Sequence, residues 1–313
     1  MLRSRFLNVD VFSDFYALVR QVPDGKITTY GTLARALGDI RAARACGYML
    51  SVNPDPDGTP CYRVVHSDGR VGNYTHPLGN TEKVRRIRAD GIEIRDDRIC
   101  QLESVLFDDF VTNSILEKLR AEQLSLAGEL AINEEIRPSR VSAFDVSYAG
   151  EVGYGSMVTT SSGGVPETEI STREVKIPYI SSYLSYREFP VLSSLVANSG
   201  DFLVFDGNGI LHERNMGLAS FAGIISGKPS MGVAKSLTAG KIVGNRIYLK
   251  GVEAGFVNSG KYYVSPGNLI SLQSARILMK ERGEEIISLL KSAHRSANEA
   301  RLLKSVKDTH ANN

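Results

Sequence analysis

Apolar positions change period partway along the chain. FSDFYALVRQV, Phe12 to Val22, spaces its apolar residues at three and four, which predicts an amphipathic helix. PDGK, Pro23 to Lys26, is a turn. TTYGTLARAL (Thr28 to Leu37) and IRAARACGYML (Ile40 to Leu50) predict two short helices across Gly38-Asp39, a helix-turn-helix pattern. NPDPDGTP, Asn53 to Pro60, cannot be helical and delivers Cys61 on a loop. TEKVRRIRADG, Thr81 to Gly91, is a basic helix closed by glycine.

LESVLFDDFVTNS, Leu102 to Ser114, has no clear period, and a domain junction is expected there. The expected division is a first domain at 1–104, a linker at 105–114 and a second domain at 115–313. ILEKLRAEQLSLAGELAINEE (Ile115 to Glu135) predicts a long helix, and Pro138 prevents its continuation. Strand patterns follow: VSAFDVSYAG, then GYGSMVTTSS, then STREVKIPYI. DFLVFDGNG is an apolar strand ending in an acid and two glycines, and Lys241 to Val264 reads as further strands. Ser274 to Val306 is a closing helix or pair of helices. The chain is therefore α/β overall: a mostly helical first domain, then an α/β domain.

Composition narrows the class. The 313 residues suit two domains, with 42% hydrophobic and 23% charged residues. A net charge of +2 excludes a uniformly basic surface, so any nucleic-acid contact must be a local patch. Three cysteines make no disulfide framework and fit a reducing compartment. No apolar run approaches the ~20 residues of a membrane span. MLRSRFLNVDVF lacks the apolar core of a signal peptide. A cytoplasmic, nucleoid-associated protein is expected, with no membrane contact, and no protein partner is inferable.

Cys61 on its loop, after a helix pair, has the elements of an alkyl acceptor: a sulfur nucleophile beside a DNA-binding motif. Removing an alkyl group from a base oxygen requires the base to leave the stack. ITTYGTLARAL, ARACG, the NP of Asn53-Pro54 and PCYRVVHSDGRVGNY together resemble the active domain of O6-alkylguanine-DNA alkyltransferases, over residues 10 to 98. That family's smaller N-terminal domain has no counterpart in the match.

The resemblance implies a helix-turn-helix in the DNA minor groove and irreversible transfer of the alkyl group to Cys61. Arg44 matches the arginine finger that replaces the flipped base, and Tyr30 the tyrosine that rotates the target phosphate. Asn53 matches the hinge asparagine, and Tyr74 and Thr75 border the guanine pocket. Arg63, next in the PCYR motif, is placed with the DNA-binding residues. Two positions depart from the family. Tyr62 stands where a relay histidine belongs, and Asp90 replaces the relay glutamate. A phenol, with a reference pKa of about 10, relays protons less readily than imidazole. Cys46 shares helical spacing with Met49 and Leu50 and is expected in the core; Cys100 is given no role.

In the second half Asp145, Glu188 and Asp206 are acids at or near strand ends. Converging carboxylates bind Mg2+, which can activate water against a phosphodiester. FDVSYAG, PYISSYLSYREFP, VFDGNGILHERNMGLASFAGI and GVAKSLTAG resemble endonuclease V, over residues 115 to 300. The resemblance implies an RNase H-like fold with a mixed central sheet. It implies a cut at the second phosphodiester 3′ of deoxyinosine, with Mg2+ at Asp145, Glu188 and Asp206 and Mn2+ as a substitute.

By the same resemblance Lys235 lies near the scissile phosphate. Pro178, Tyr179 and Ile180 form the strand-separating wedge. Gly207 and Gly209 make room for hypoxanthine, and His212 stands on that loop. Three positions depart from the family here. Asn268 stands where a metal-proximal histidine is expected, Phe221 replaces a histidine, and Ser181 replaces the wedge's second proline.

The expected protein is a bifunctional DNA-repair enzyme acting on double-stranded DNA that carries O6-alkylguanine or deoxyinosine. The alternative is an O6-alkylguanine sensor fused to a nuclease for inosine-containing RNA.

Overall fold

The computed structural model describes residues 8–160 and 165–311, with side chains described as far as residue 303. Ser161 and Ser162, the last two positions of the expected strand GYGSMVTTSS, lie outside the described residues, as do the first seven residues of the chain. Two compact units form: Val9–Arg120 with Lys176–Ser181, and Ala121–Val175 with the chain from Ser182 onward. Among the described residues no helix is long and apolar enough to cross a membrane.

The first unit is mostly helical. Asp10 accepts from the Ser13 amide at 2.9 Å and starts the helix Val11–Val19, which buries Val11, Phe15, Leu18 and Val19. Thr29 caps the helix Tyr30–Ala36, accepting from the Thr32 amide at 3.1 Å. Asp39 caps a short 3-10 turn, Ile40–Ala42, which runs into the helix Ala43–Ser51. The expected helix-turn-helix therefore forms. Thr28–Thr29 pairs in parallel with Val64–Val65, which fixes the 3-10 turn Cys61–Arg63 against the helix pair. Residues 105–114 are hydrogen-bonded into this unit: Ile27 N–H donates to Val105 O, Phe107 N–H to Ile27 O, and Val111 N–H to Gln21 Oε1.

The second unit is built on a nine-stranded mixed sheet. Its order runs Lys241–Val243, Arg246–Leu249, Val252–Asn258, Tyr262–Asn268, Ser230–Ala234, Phe202–Phe205, Val141–Ala149, Val152–Thr159, Glu167–Glu174. The three strands Ser230–Ala234, Phe202–Phe205 and Val141–Ala149 are mutually parallel. The third expected strand is displaced towards the N-terminus. It ends at Glu174, and the segment containing Pro178, which has no N–H to offer a ladder, is not strand.

Alternation along the parallel strands decides what reaches the active end. Val141, Ala143, Phe202, Val204, Met231 and Val233 share one core with Ile286, Leu289 and Ala293 of the closing helical element Leu272–Ala311. That element is interrupted at Arg282, whose φ of −127° breaks the helix, so the closing pair is real. With a period of two, Asp145 and Asp206 point to the same face as Ala143 and Val204, toward that helix.

Candidate active sites

Cys61 is 4% exposed on its 3-10 turn. Its sulfur receives the Asn53 Nδ2 amide at 3.1 Å and lies 3.3 Å from the Thr59 carbonyl. Asn53 also accepts from the Asp55 amide at 3.1 Å, so the hinge asparagine ties the loop to the sulfur. Burial pushes the Cys61 thiol up, while Asn53, Lys83 and Arg86 oppose that rise. A cavity of about 530 Å³ opens on Cys61, lined by Tyr30, Arg44, His66, Asn73, Tyr74 and Thr75 among others. Tyr74 Oη is buried there without a partner. Arg44 is exposed. Cys46 is fully buried and its thiol is pushed up to about 12 by burial, which makes it inert core.

The expected relay pair meets: Tyr62 Oη donates to Asp90 Oδ2 at 3.1 Å. Burial, more than any neighbour, raises the Tyr62 hydroxyl above the usual phenol range. Arg63 takes a different place from the DNA surface assigned to it. It is 7% exposed, donates Nε to Asp90 at 2.7 Å and Nη1 to the Val22 carbonyl at 2.8 Å, and pairs with Asp24. Its donors are spent inside the domain, so it braces the Cys61 turn instead of touching DNA. Lys83, which sequence reasoning passed over, is 1% exposed, and its ammonium donates to the Val64 carbonyl at 2.7 Å. Burial pulls it down to about 8, and Cys61 opposes that fall.

In the second unit, Phe144 and Phe205 are register partners on parallel strands, with rings stacked at 4.8 Å. The next residues, Asp145 in the middle of its strand and Asp206 just past the end of Phe202–Phe205, are therefore side by side. Burial first, then Asp206, raises the Asp145 carboxyl above its ordinary range. Glu188, on the helix Leu184–Asn198, is coupled to both aspartates. Burial and their charges push it up to about 8. Lys235 pairs with Asp206.

Asn268 is not at this cluster. Its Oδ1 accepts from the Ala131 amide at 3.1 Å, and its side chain is consumed there. The histidine at the acids is His294, whose Nδ1 lies 2.6 Å from Asp145 Oδ2. Asn298, one turn on, contacts the other ring nitrogen at 3.1 Å and accepts from Ser147 Oγ at 2.9 Å. The i, i+4 spacing of His294 and Asn298 was the available signal. Ligand atoms of Asp145, Asp206 and His294 all lie within 4.8 Å of one another. Two carboxylates, a neighbouring third and one imidazole are a donor set that fits a hard divalent cation.

The remaining nuclease assignments narrow. Pro178 and Ile180 are buried and Tyr179 is 64% exposed, so the wedge reduces to one ring. Gly209 is closely packed on the side where a Cβ would stand. A Cβ there would stand 1.9 Å from the Pro266 carbonyl, so the glycine serves the packing of the loop on its strand. At Gly207 a Cβ would make ordinary contact, 3.7 Å from Leu218. His212 holds its loop: Nδ1 accepts from the Arg214 amide at 3.2 Å and Nε2 faces the Ser182 carbonyl at 3.2 Å. Phe221 is fully buried against Tyr186 and Phe189.

The family model for Endonuclease V matches residues 123–286, and that for the 6-O-methylguanine DNA methyltransferase DNA binding domain matches residues 10–92. A bifunctional methyltransferase/endonuclease of Picrophilus torridus is 43% identical over 290 residues, covering 92% of this chain and 95% of the relative. One of the same description from Thermoplasma volcanium is 43% identical over 295 residues, covering 94% and 91%. Endonuclease V of Ciona intestinalis, solved with a 24mer DNA containing an inosine followed by a ribo-adenosine, superposes with a TM-score of 0.53 at 21% identity, over 62% of this chain and 100% of that one. That likeness establishes the fold of the second unit. With both family models matched in one chain and two relatives similar over nearly its whole length, the chain belongs to the bifunctional methyltransferase/endonuclease family.

Proposed function

We propose that the first unit transfers alkyl groups from O6 of guanine in double-stranded DNA to Cys61, and that the second nicks DNA on the 3′ side of deoxyinosine. In the first reaction the sulfur–carbon bond forms as the carbon–O6 bond breaks, so each molecule acts once. The observation that carries this reading is the Cys61 sulfur, held by Asn53 at the floor of a 530 Å³ cavity. Lys83 and Arg86 place positive charge near that sulfur and favour its thiolate. Arg44 at the cavity's edge is positioned to fill the stack when the base leaves.

For the second reaction the support is the side-by-side placement of Asp145 and Asp206 with Glu188 and His294. Asp145, Asp206 and Glu188 would hold Mg2+ or Mn2+, which supplies Lewis acidity to the scissile phosphate. Lys235, 60% exposed beside Asp206, is placed to meet a backbone phosphate. Tyr179 is the exposed ring available to part the strands.

One experiment tests both halves. The full chain is incubated with DNA carrying a labelled O6-methyl group and, separately, a deoxyinosine. Label on the wild type and none on Cys61→Ala is expected, as is Mg2+-dependent nicking that Asp206→Ala abolishes. Tight binding without label would make the first unit a sensor. Nicking confined to inosine in RNA would replace the proposed substrate of the second.

A further inference from the structure

The cavity of Cys61 contains an imidazole, though not at the position next to the cysteine. His66 lines it with Cys61, Tyr30, Arg44 and Tyr74. Its ring packs on Tyr30, with centroids 5.3 Å apart and planes at 53°. Gly72 makes this packing possible: a Cβ there would stand 2.7 Å from His66 Nε2 and 3.7 Å from Tyr30 Oη. The imidazole nitrogen and the phenol hydroxyl thus share one wall of the cavity. Among the described residues no hydrogen bond joins the His66 ring to another protein group. The ring is half-buried with its proton-exchanging capacity unused.

Tyr62, by contrast, is committed. Its hydroxyl donates to Asp90, whose carboxylate is already held by Arg63 at 2.7 Å. A neutral phenol bonded to a neutralised carboxylate is a poor route for the thiol proton. Tyr30 cannot end as the proton donor either, since burial and then the charges of Cys46 and Cys61 hold its hydroxyl protonated. Whatever Tyr30 gives away must be returned.

We propose that His66 is the proton carrier of the alkyl-transfer site, an inference that rests on the alkyl-transfer reading of Cys61. The thiol proton passes to the His66 imidazole. The sulfur takes the alkyl carbon, and the electron pair of the broken carbon–O6 bond stays on the purine. The purine takes a proton from Tyr30, and His66 returns one to Tyr30. The proton that leaves sulfur ends on guanine, so no other reactant is consumed. Histidine suits this because it exchanges protons near neutral pH. The titratable and charged groups facing the cavity with it are Tyr30, Arg44, Cys61 and Tyr74, with Lys83 and Arg86 acting on Cys61. On its own turn Asp68 and Arg70 pair with each other at 2.7 Å.

The test is single-turnover transfer of labelled methyl to the full chain across about pH 5 to 9, the range in which imidazole changes charge. His66→Asn removes the base, and His66→Phe keeps a ring to stack on Tyr30. Affinity for DNA serves as the folding control. Both variants should slow transfer by about 100-fold, the scale of one general acid–base group, and flatten the pH profile. Adding Tyr62→His to His66→Asn should restore part of the rate. Wild-type transfer by His66→Phe, with an unchanged pH profile, would overturn the role of the imidazole and leave alkyl transfer standing. A wild type that never labels Cys61 would instead overturn the alkyl-transfer reading itself.

Discussion

Three carboxylates gathered without a cation carry an electrostatic cost that can be measured. In the metal-free chain the Glu188 carboxyl rises from 4.5 to about 8, through burial and the charges of Asp145 and Asp206. Glu188 is therefore protonated at neutral pH, and a divalent cation must expel that proton to use the carboxylate. Release of one proton makes metal affinity rise about tenfold per pH unit below pH 8, so roughly 30-fold between pH 6 and 7.5. The stability of the metal-free protein has the matching sign. A raised folded pKa contributes stability that is complete below the unfolded value and is lost as pH rises through about 8. That contribution is at most on the order of 5 kcal/mol, at ~1.4 kcal/mol per pH unit. Titration calorimetry with Mn2+ at pH 6.5, in two buffers of different ionisation enthalpy, counts the protons released. The wild type should release close to one proton per metal, and Glu188→Gln should release fewer and bind with little pH dependence. Equal proton release by the two proteins, or a wild-type affinity that does not change between pH 6 and 7.5, would show that Glu188 does not share the cation with the aspartates.

Tyr62→His should keep or raise the rate of methyl transfer, measured in single turnover; a large loss would give the tyrosine a role that its bond to Asp90 does not show. Arg63→Met leaves Asp90 without its guanidinium partner and the Val22 carbonyl without a donor, and should cost about 3 kcal/mol or more in a urea unfolding experiment. Ser182 holds a φ of +70°, which costs a non-glycine residue about 1 kcal/mol, so Ser182→Gly should leave Tm unchanged or raise it by about 2–4 °C. Gly209→Ala drives a Cβ to 1.9 Å from the Pro266 carbonyl and should abolish nicking, read on a deoxyinosine duplex, while transfer to Cys61 persists.

What could be read in the sequence and what could not divide along a physical line. Asp145 and Asp206 were legible because each follows an apolar run, and the parallel register of Phe144 with Phe205 then brings them side by side, although the strand of Asp145 continues to Ala149. The Cys61 loop was legible because Asn53 to Pro60 excludes helix. His294 was not legible, because it reaches Asp145 across 149 residues from one face of a helix whose rotation only the core packing of Ile286, Leu289 and Ala293 decides. The search for a metal-proximal histidine stopped at Asn268, near in motif and spent on Ala131 in space. Arg63 misled for a related reason. An arginine in the motif of the nucleophile was placed with the DNA-binding residues, and nothing local reveals that Asp24 and Asp90 will close on it.

The two sites set opposite electrostatic problems for one polyanion. Around Cys61 the fold gathers positive charge, with Lys83 and Arg86 near the sulfur and Arg44 at the cavity's edge. These charges favour the thiolate. The nuclease cluster gathers negative charge, which opposes a phosphate until it is neutralised. The chain supplies part of that neutralisation itself. Lys235 pairs with Asp206. Glu188, held protonated by burial and then by its acidic neighbours, supplies another part by carrying no charge. On the proposed reading the remainder falls to the cation, so DNA binding and metal binding at the nuclease site would be linked and each would strengthen the other. No such linkage acts at Cys61, where every charge that matters is covalently part of the chain. With a net charge of only +2 to spread over both sites, DNA affinity in a chelator is expected to persist for alkylated duplex and to fall for deoxyinosine duplex, read by binding titrations with and without EDTA.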